Sequence, residues 1–207
     1  MLLNLFPDSK CYNLLVELHK ETPVLLFKTA TEWEEWLVKN HDTFPAVWIK
    51  FAKKDTGAVS VTYDEALEVA LCYGWIDGLI NAYDEKYYLT RFTPRKAKSV
   101  WSKRNVELVE RLVREGRMHA SGLQVIAEAK ANGNWSLAYD SGGTMQMPED
   151  FLQELAKDKK ALEFFNTLTK TNTYAIAWRL QTAKRAETRQ KRMETILAML
   201  HRGEKFH

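Results

Sequence analysis

What most constrains this chain is the point at which its alternating pattern stops. Three early segments carry apolar residues at a period of two, the spacing of a half-buried strand. In Ala46–Lys53, Val47, Ile49 and Phe51 point one way while Trp48, Lys50 and Ala52 point the other. Trp75–Ala82 and Lys86–Thr93 form the arms of a hairpin across Tyr83-Asp84-Glu85, and Pro94 ends the second arm. Beyond about Ser102 no such segment recurs, and the remaining apolar residues follow helical spacing. Strands first and helices afterwards imply an α+β chain. The expected form is a small N-terminal antiparallel sheet with packed helices, followed by an all-helical C-terminal region.

Helix boundaries can be read from capping chemistry. Thr31-Glu32-Trp33-Glu34 and Thr62-Tyr63-Asp64-Glu65 both have the form of a capping box. The first would open a helix running to about Asn40 on a Trp33/Trp36/Leu37 stripe. The second would open one that buries Ala66, Leu67, Ala70 and Leu71 and stops at Gly74, placed as a left-handed residue after the last turn. Cys11–Lys20 can be a short helix with Leu14, Leu15 and Leu18 on one face, and Val24–Lys28 a short strand. Ser99 or Ser102 can cap the helix that follows Pro94, and Ser121 starts another, closed by Asn132-Gly133. Leu137–Gln146, containing Ser141-Gly142-Gly143-Thr144, is linker-like, and Pro148 suits the first turn of the next helix. Phe151–His201 holds two or three helices with breaks near Lys170-Thr171-Asn172 and Ala186. Residues 27–135 would thus form an α+β domain and 148–207 a helical one.

Charge narrows the function. Net charge is only +3, but residues 86–105 carry seven Lys and Arg and no acid, while residues 1–85 sum to −7. The cations of the middle block lie among aromatics: Tyr87, Tyr88, Phe92 and Trp101. Arg91 and Arg95 could hold an anion through their planar forks. Lys53 would add charge, Asp77 could orient a guanidinium, Trp101 would wall the site, and Asn105 sits at the start of the following helix, where free amides favour anions. If the faces of the hairpin coincide, Asp77, on a face with Leu79 and Asn81, would lie beside Arg91. An exposed structural ion pair is the plainer account of that pair.

Other functions find less support. The five histidines, at 19, 41, 119, 201 and 207, show no metal-ligand spacing, and no P-loop, dinucleotide fingerprint or nucleophile elbow is present. No metal or cofactor is therefore implied. An enzyme would have to work through Cys72 or Asp77 beside a base. Nucleic-acid binding, with bases stacking on the rings and phosphates meeting the cations, is the other alternative, and it lacks a recognised motif. Two distant cysteines, Cys11 and Cys72, suggest free thiols rather than a disulfide framework. No apolar run is long enough to span a bilayer, and Met1–Asp8 makes a poor export signal, which leaves the cytoplasm as the expected location.

Several blocks resemble the YdeI/OmpD-associated, or bacteriocin-protection, family. They are Phe27-Lys28-Thr29-Ala30, Val47–Lys54, Tyr63–Leu67, Leu71–Gly78, Arg91–Arg95 and Ser99–Asn105, then Phe164-Phe165, Ala177-Trp178, Ala183-Lys184-Arg185, Glu187-Thr188-Arg189 and Arg192. They run in order over about residues 27–203, so residues 1–26 look like an N-terminal extension. The resemblance implies a small soluble protein tied to protection against bacteriocins or cationic antimicrobial peptides, or to the cell envelope. It supplies no catalytic residues. Since a cationic patch repels cationic peptides, protection would be indirect, through an anionic metabolite or envelope precursor.

Overall fold

The computed structural model describes residues 17–140 and 144–206. The elements run β1 (Leu18–His19), β2 (Thr22–Leu25), α1 (Ala30–Asn40), β3 (Val47–Ala52), α2 (Tyr63–Cys72), β4 (Trp75–Ala82), β5 (Tyr87–Pro94), α3 (Lys103–Arg114), α4 (Ala120–Ala131), α5 (Glu149–Leu155), α6 (Lys159–Phe165), α7 (Lys170–Gln181) and α8 (Ala186–His201). The fold is α+β with a helical C-terminal region, as the patterning implies. Two compact units divide it. One takes the described residues up to Lys96 together with Leu112–Val125, and the other takes Ala97–Arg111 with the described residues from Ile126 onward.

In the first unit the sheet order is β1-β2-β3-β5-β4. Every neighbouring pair is antiparallel except β2–β3, which is parallel because α1 carries the chain across between them. Leu18 belongs to a strand rather than to the end of a helix. His19 shares that strand and Lys20 lies in the turn after it, so the expected Cys11–Lys20 helix does not extend over its last residues; residues 11–16 lie outside the described residues, as do residues 141–143.

Cross-strand partners share a face. Val47↔Phe92, Ile49↔Thr90 and Phe51↔Tyr88 therefore look toward the helices, and Trp48↔Arg91, Lys50↔Leu89 and Ala52↔Tyr87 look away from them. The helix-side core is aromatic. Trp33 stacks on Trp36 with centroids 5.3 Å apart and meets Trp75 and Phe92 edge-on. The indole N–H groups that this burial would strand are satisfied: Trp33 donates to Ala66 O (3.1 Å) and Trp75 to His41 O (3.0 Å).

Helix α1 starts two residues before the expected box. Thr29 is its cap and accepts from Glu32 N, while the Glu32 carboxylate takes Lys28 N at 2.6 Å. The Thr62/Glu65 box on α2 forms in full. At the far end of α2 the last carbonyls are taken up by a segment remote in sequence. Cys72 O accepts from His119 N (3.0 Å), and Tyr73 O accepts from Ser121 Oγ (3.0 Å). This close approach requires glycine at Gly74, which has φ +76°, and at Gly122, where an added Cβ would stand 2.2 Å from Cys72 O.

The second unit buries Phe151, Leu155, Ala161, Ile176, Leu180, Met193, Ile196 and Leu200 as one core. Four helices rather than two or three span Phe151–His201, since Asp158 caps α6 and Thr169 caps α7. Pro148 is the cap residue of α5 rather than its first helical position. Among the described residues no helix is long and apolar enough to cross a membrane.

Candidate functional site

The β4–β5 hairpin positions most of the residues that the sequence singles out, and its register decides which of them meet. Asp77 pairs with Phe92, so it faces the helices, where its Oδ2 accepts from Tyr63 OH at 2.7 Å. Arg91 pairs with Trp48 and faces the opposite side. The expected Asp77–Arg91 contact is therefore absent; adjacent positions on a pleated strand point to opposite faces. Nor does Asp77 share a face with Asn81. A bulge between Asp77 and Ile80 inserts an extra residue and inverts the alternation, so Ile80 pairs with Thr90 and Asn81 with Leu89.

The remaining candidates are dispersed. Lys53 is exposed at the far end of β3, and its Nζ donates to Asp84 O at 2.6 Å, tying the hairpin turn. Lys53 and Trp48 are five residues apart on an extended chain, so roughly 16 Å separates Lys53 from the Arg91 position. Arg95 is buried, with its backbone N–H on Gly74 O at 2.9 Å. Trp101 and Asn105 belong to the second unit. There Trp101 packs on Trp135 (4.9 Å between centroids), and Asn105 N donates to Ser102 Oγ, which makes Ser102 the capping serine.

Around Arg91, on the sheet face turned away from α1 and α2, the fold assembles residues that sequence reasoning did not connect. Trp48 and Leu89 are fully buried there with Val24. His19 meets the Trp48 ring edge-on at 4.9 Å and shares a 2.9 Å hydrogen bond with Asn81 Nδ2. Lys50 Nζ lies 2.7 Å from Glu17 Oε2, 3.0 Å from Tyr83 OH and above the Tyr83 ring, while Tyr83 OH also donates to Glu17. Burial works against the charge on Lys50, but the Glu17 and Tyr83 contacts more than offset it and hold its pKa above the ordinary value. The same hydrogen bonds hold Glu17 below the usual carboxylate range. Lys50 is thereby neutralised in place. Arg91 is not: it is half-buried, and among the described residues its guanidinium has no hydrogen-bond or ion-pair partner. The buried indole N–H of Trp48, its direct cross-strand neighbour, has no acceptor either. Only the period-two pattern could have signalled this pairing, and it gives the face without the partner strand.

Other chemistry is limited. Cys72 is buried, and desolvation pushes its thiol up to about 11, so the nucleophile that an enzymatic reading needs is withdrawn from solvent. The fold gathers His41, Tyr73 and His119 into one ring cluster, with Tyr73 stacked on His119 at 4.9 Å. Among the described residues no group of His, Cys, Asp and Glu could hold a metal ion. A groove of about 290 Å3 opens between the β2–α1 segment and α1, with Phe27, Trp36, Phe44, Glu32, Glu35 and Lys39 in its lining. None of the six candidate residues borders it.

Comparison with known families gives two matches. Residues 144–203 match the family described as bacteriocin-protection, YdeI or OmpD-associated. This stretch of the chain is similar to the YdeI/OmpD-associated family, as the C-terminal blocks of the sequence imply. It contains the blocks from Phe164-Phe165 to Arg192. Residues 25–125 match a domain of unknown function, DUF8412, and the blocks from Phe27 to Asn105 fall within that match. No curated protein matches the chain, and no solved structure does.

Proposed function

We propose that this chain is a cytoplasmic binding protein of stress protection that captures a small oxyanionic ligand, such as a metabolite or envelope precursor, on the Arg91–Trp48 face of its sheet. One observation carries this reading: two donors, the buried indole N–H of Trp48 on β3 and the half-buried guanidinium of Arg91 on β5, belong to directly paired residues, and neither has an acceptor among the described residues. A buried donor left unmade costs about 1–3 kcal/mol, and a carboxylate or phosphate oxygen reaching both would recover it. Lys50 cannot serve instead, because Glu17 already occupies it. Protection would follow from withdrawing or sensing the ligand, in keeping with the description of the family that residues 144–203 match.

The test is a thermal-shift series over mono- and dicarboxylates with wild type, Arg91→Gln and Asp77→Asn. The expected outcome is a ligand-dependent rise in Tm for wild type and Asp77→Asn that is lost in Arg91→Gln. An equal rise in all three proteins, or none in wild type, removes the reading.

A further inference from the structure

The helical unit carries a second concentration of positive charge. Between Arg179 and Arg192 lie six cations and one acid, Glu187. They do not act alike. Arg189 is neutralised by a two-pronged contact to Asp150, with Nη2 2.8 Å from Oδ1. Arg179, Lys191 and Arg192 instead border one cleft of about 300 Å3 with Thr188, Ile196 and Phe206, and among the described residues no Asp or Glu lines it. Arg192 is fixed in place by donating from Nη1 to Arg179 O at 2.8 Å. Among the described residues the side chains of Arg179 and Lys191 have no ion-pair partner. Burial, and then the charge of Arg179, lower the pKa of Arg192. Like charges held together without a counter-charge repel, and an anion in the cleft would relieve that repulsion.

We propose that this cleft is a binding site for a small phosphate monoester. A monoester carries close to two negative charges at neutral pH and three acceptor oxygens, which matches three cations better than a single carboxylate does. The Thr188 hydroxyl adds a neutral donor, and Ile196 and Phe206 give the esterified group an apolar wall. The volume suits a compact molecule. A single-stranded nucleic acid would need a groove lined with successive aromatic rings, whereas this lining offers one, Phe206. The site is separate from the Arg91 face and does not depend on it.

Isothermal titration with phenyl phosphate, inorganic phosphate and benzenesulfonate tests the proposal on the full chain. Arg179 and Lys191 are exposed, so Arg179→Gln/Lys191→Gln should leave the circular dichroism spectrum unchanged. Wild type should bind phenyl phosphate saturably, and more tightly than either other anion. The double variant should lose about tenfold or more in affinity, since each removed cation deletes a charge-assisted contact. Phe206→Ala should weaken phenyl phosphate and leave inorganic phosphate unchanged, and Arg91→Gln should change neither. The proposal is overturned by absent saturation, by an unaltered double variant, by loss of binding in Arg91→Gln, or by an oligonucleotide that binds and is not displaced by phenyl phosphate.

Discussion

Replacing Gly122 with alanine sets two well-defined effects against each other. Gly122 lies in the first turn of α4, and alanine is the better helix residue by about 1 kcal/mol, so propensity alone would make Gly122→Ala stabilising. The added methyl, however, would stand 2.2 Å from Cys72 O and 2.8 Å from Met118 Cε. Met118 can turn aside, but the carbonyl is backbone. To restore an ordinary contact, the end of α2 and the start of α4 must part by roughly 1 Å. That movement would stretch the 3.0 Å hydrogen bond from His119 N to Cys72 O beyond its useful range. The lost bond and the strain together cost about 2–3 kcal/mol, which outweighs the propensity gain and leaves a net loss of about 1–2 kcal/mol. At a typical urea dependence this lowers the unfolding midpoint by about 0.5–1 M. Tryptophan fluorescence can follow it, because Trp33, Trp36, Trp48 and Trp75 all lie in the affected unit. Gly116→Ala supplies the contrast: it has φ +68° but nothing within 4 Å, so it pays only the backbone penalty of about 1 kcal/mol. A midpoint for Gly122→Ala at or above that of wild type would refute the reasoning, and with it the packing of α2 against α4.

Two further outcomes follow from the charges and the thiol. Arg189 holds the Asp150 carboxyl below its usual 3.8, so the pair contributes stability above that pH and loses it as pH falls through the depressed value. Thermal melts of Arg189→Gln should therefore lie slightly below wild type at pH 7, by about 0.5–1 kcal/mol for this half-exposed pair, and should converge with wild type near pH 2; a gap that widens in acid would contradict the assignment. Iodoacetamide at pH 8, followed by peptide mass mapping, should leave Cys72 unmodified in the folded protein and label it fully in denaturant, whereas rapid native labelling would show that the thiol is not buried as described.

The parts of the fold that local chemistry determines were legible in the sequence. The two faces of β3 and β5 follow from alternation alone, and the α2 start follows from Thr62 and Glu65. At α1 the same spacing recurs in Thr29–Glu32 and Thr31–Glu34; the earlier threonine is the cap, while the Glu32 carboxylate takes Lys28 N rather than the amide of the cap residue. The β4 bulge was not legible: Gly78 in a strand fits a regular pleat as well as an irregular one, yet the bulge moves Asn81 to the face of Trp48 and His19. The parallel entry of β2 was hidden because its partner lies more than 20 residues away. For the candidate site, alternation gave the face of Arg91 but not its neighbour Trp48, which only strand pairing supplies. Arg179, Lys191 and Arg192 come together from two helices, a convergence that no spacing along the chain records.

That bulge also bears on how copies of this protein behave in a crowded solution. β4 is the outer strand of its sheet, and it carries two aliphatic residues, Leu79 and Ile80, each 63% exposed. A straight outer strand with such side chains would be a template for edge-to-edge joining and aggregation. The extra residue breaks the run of evenly spaced amides and carbonyls beside Leu79 and Ile80, so that an incoming strand can match only a few positions before it falls out of step. Deleting Gly78 would regularise that margin, and the resulting chain should be more prone to self-association than the native one, whatever it binds.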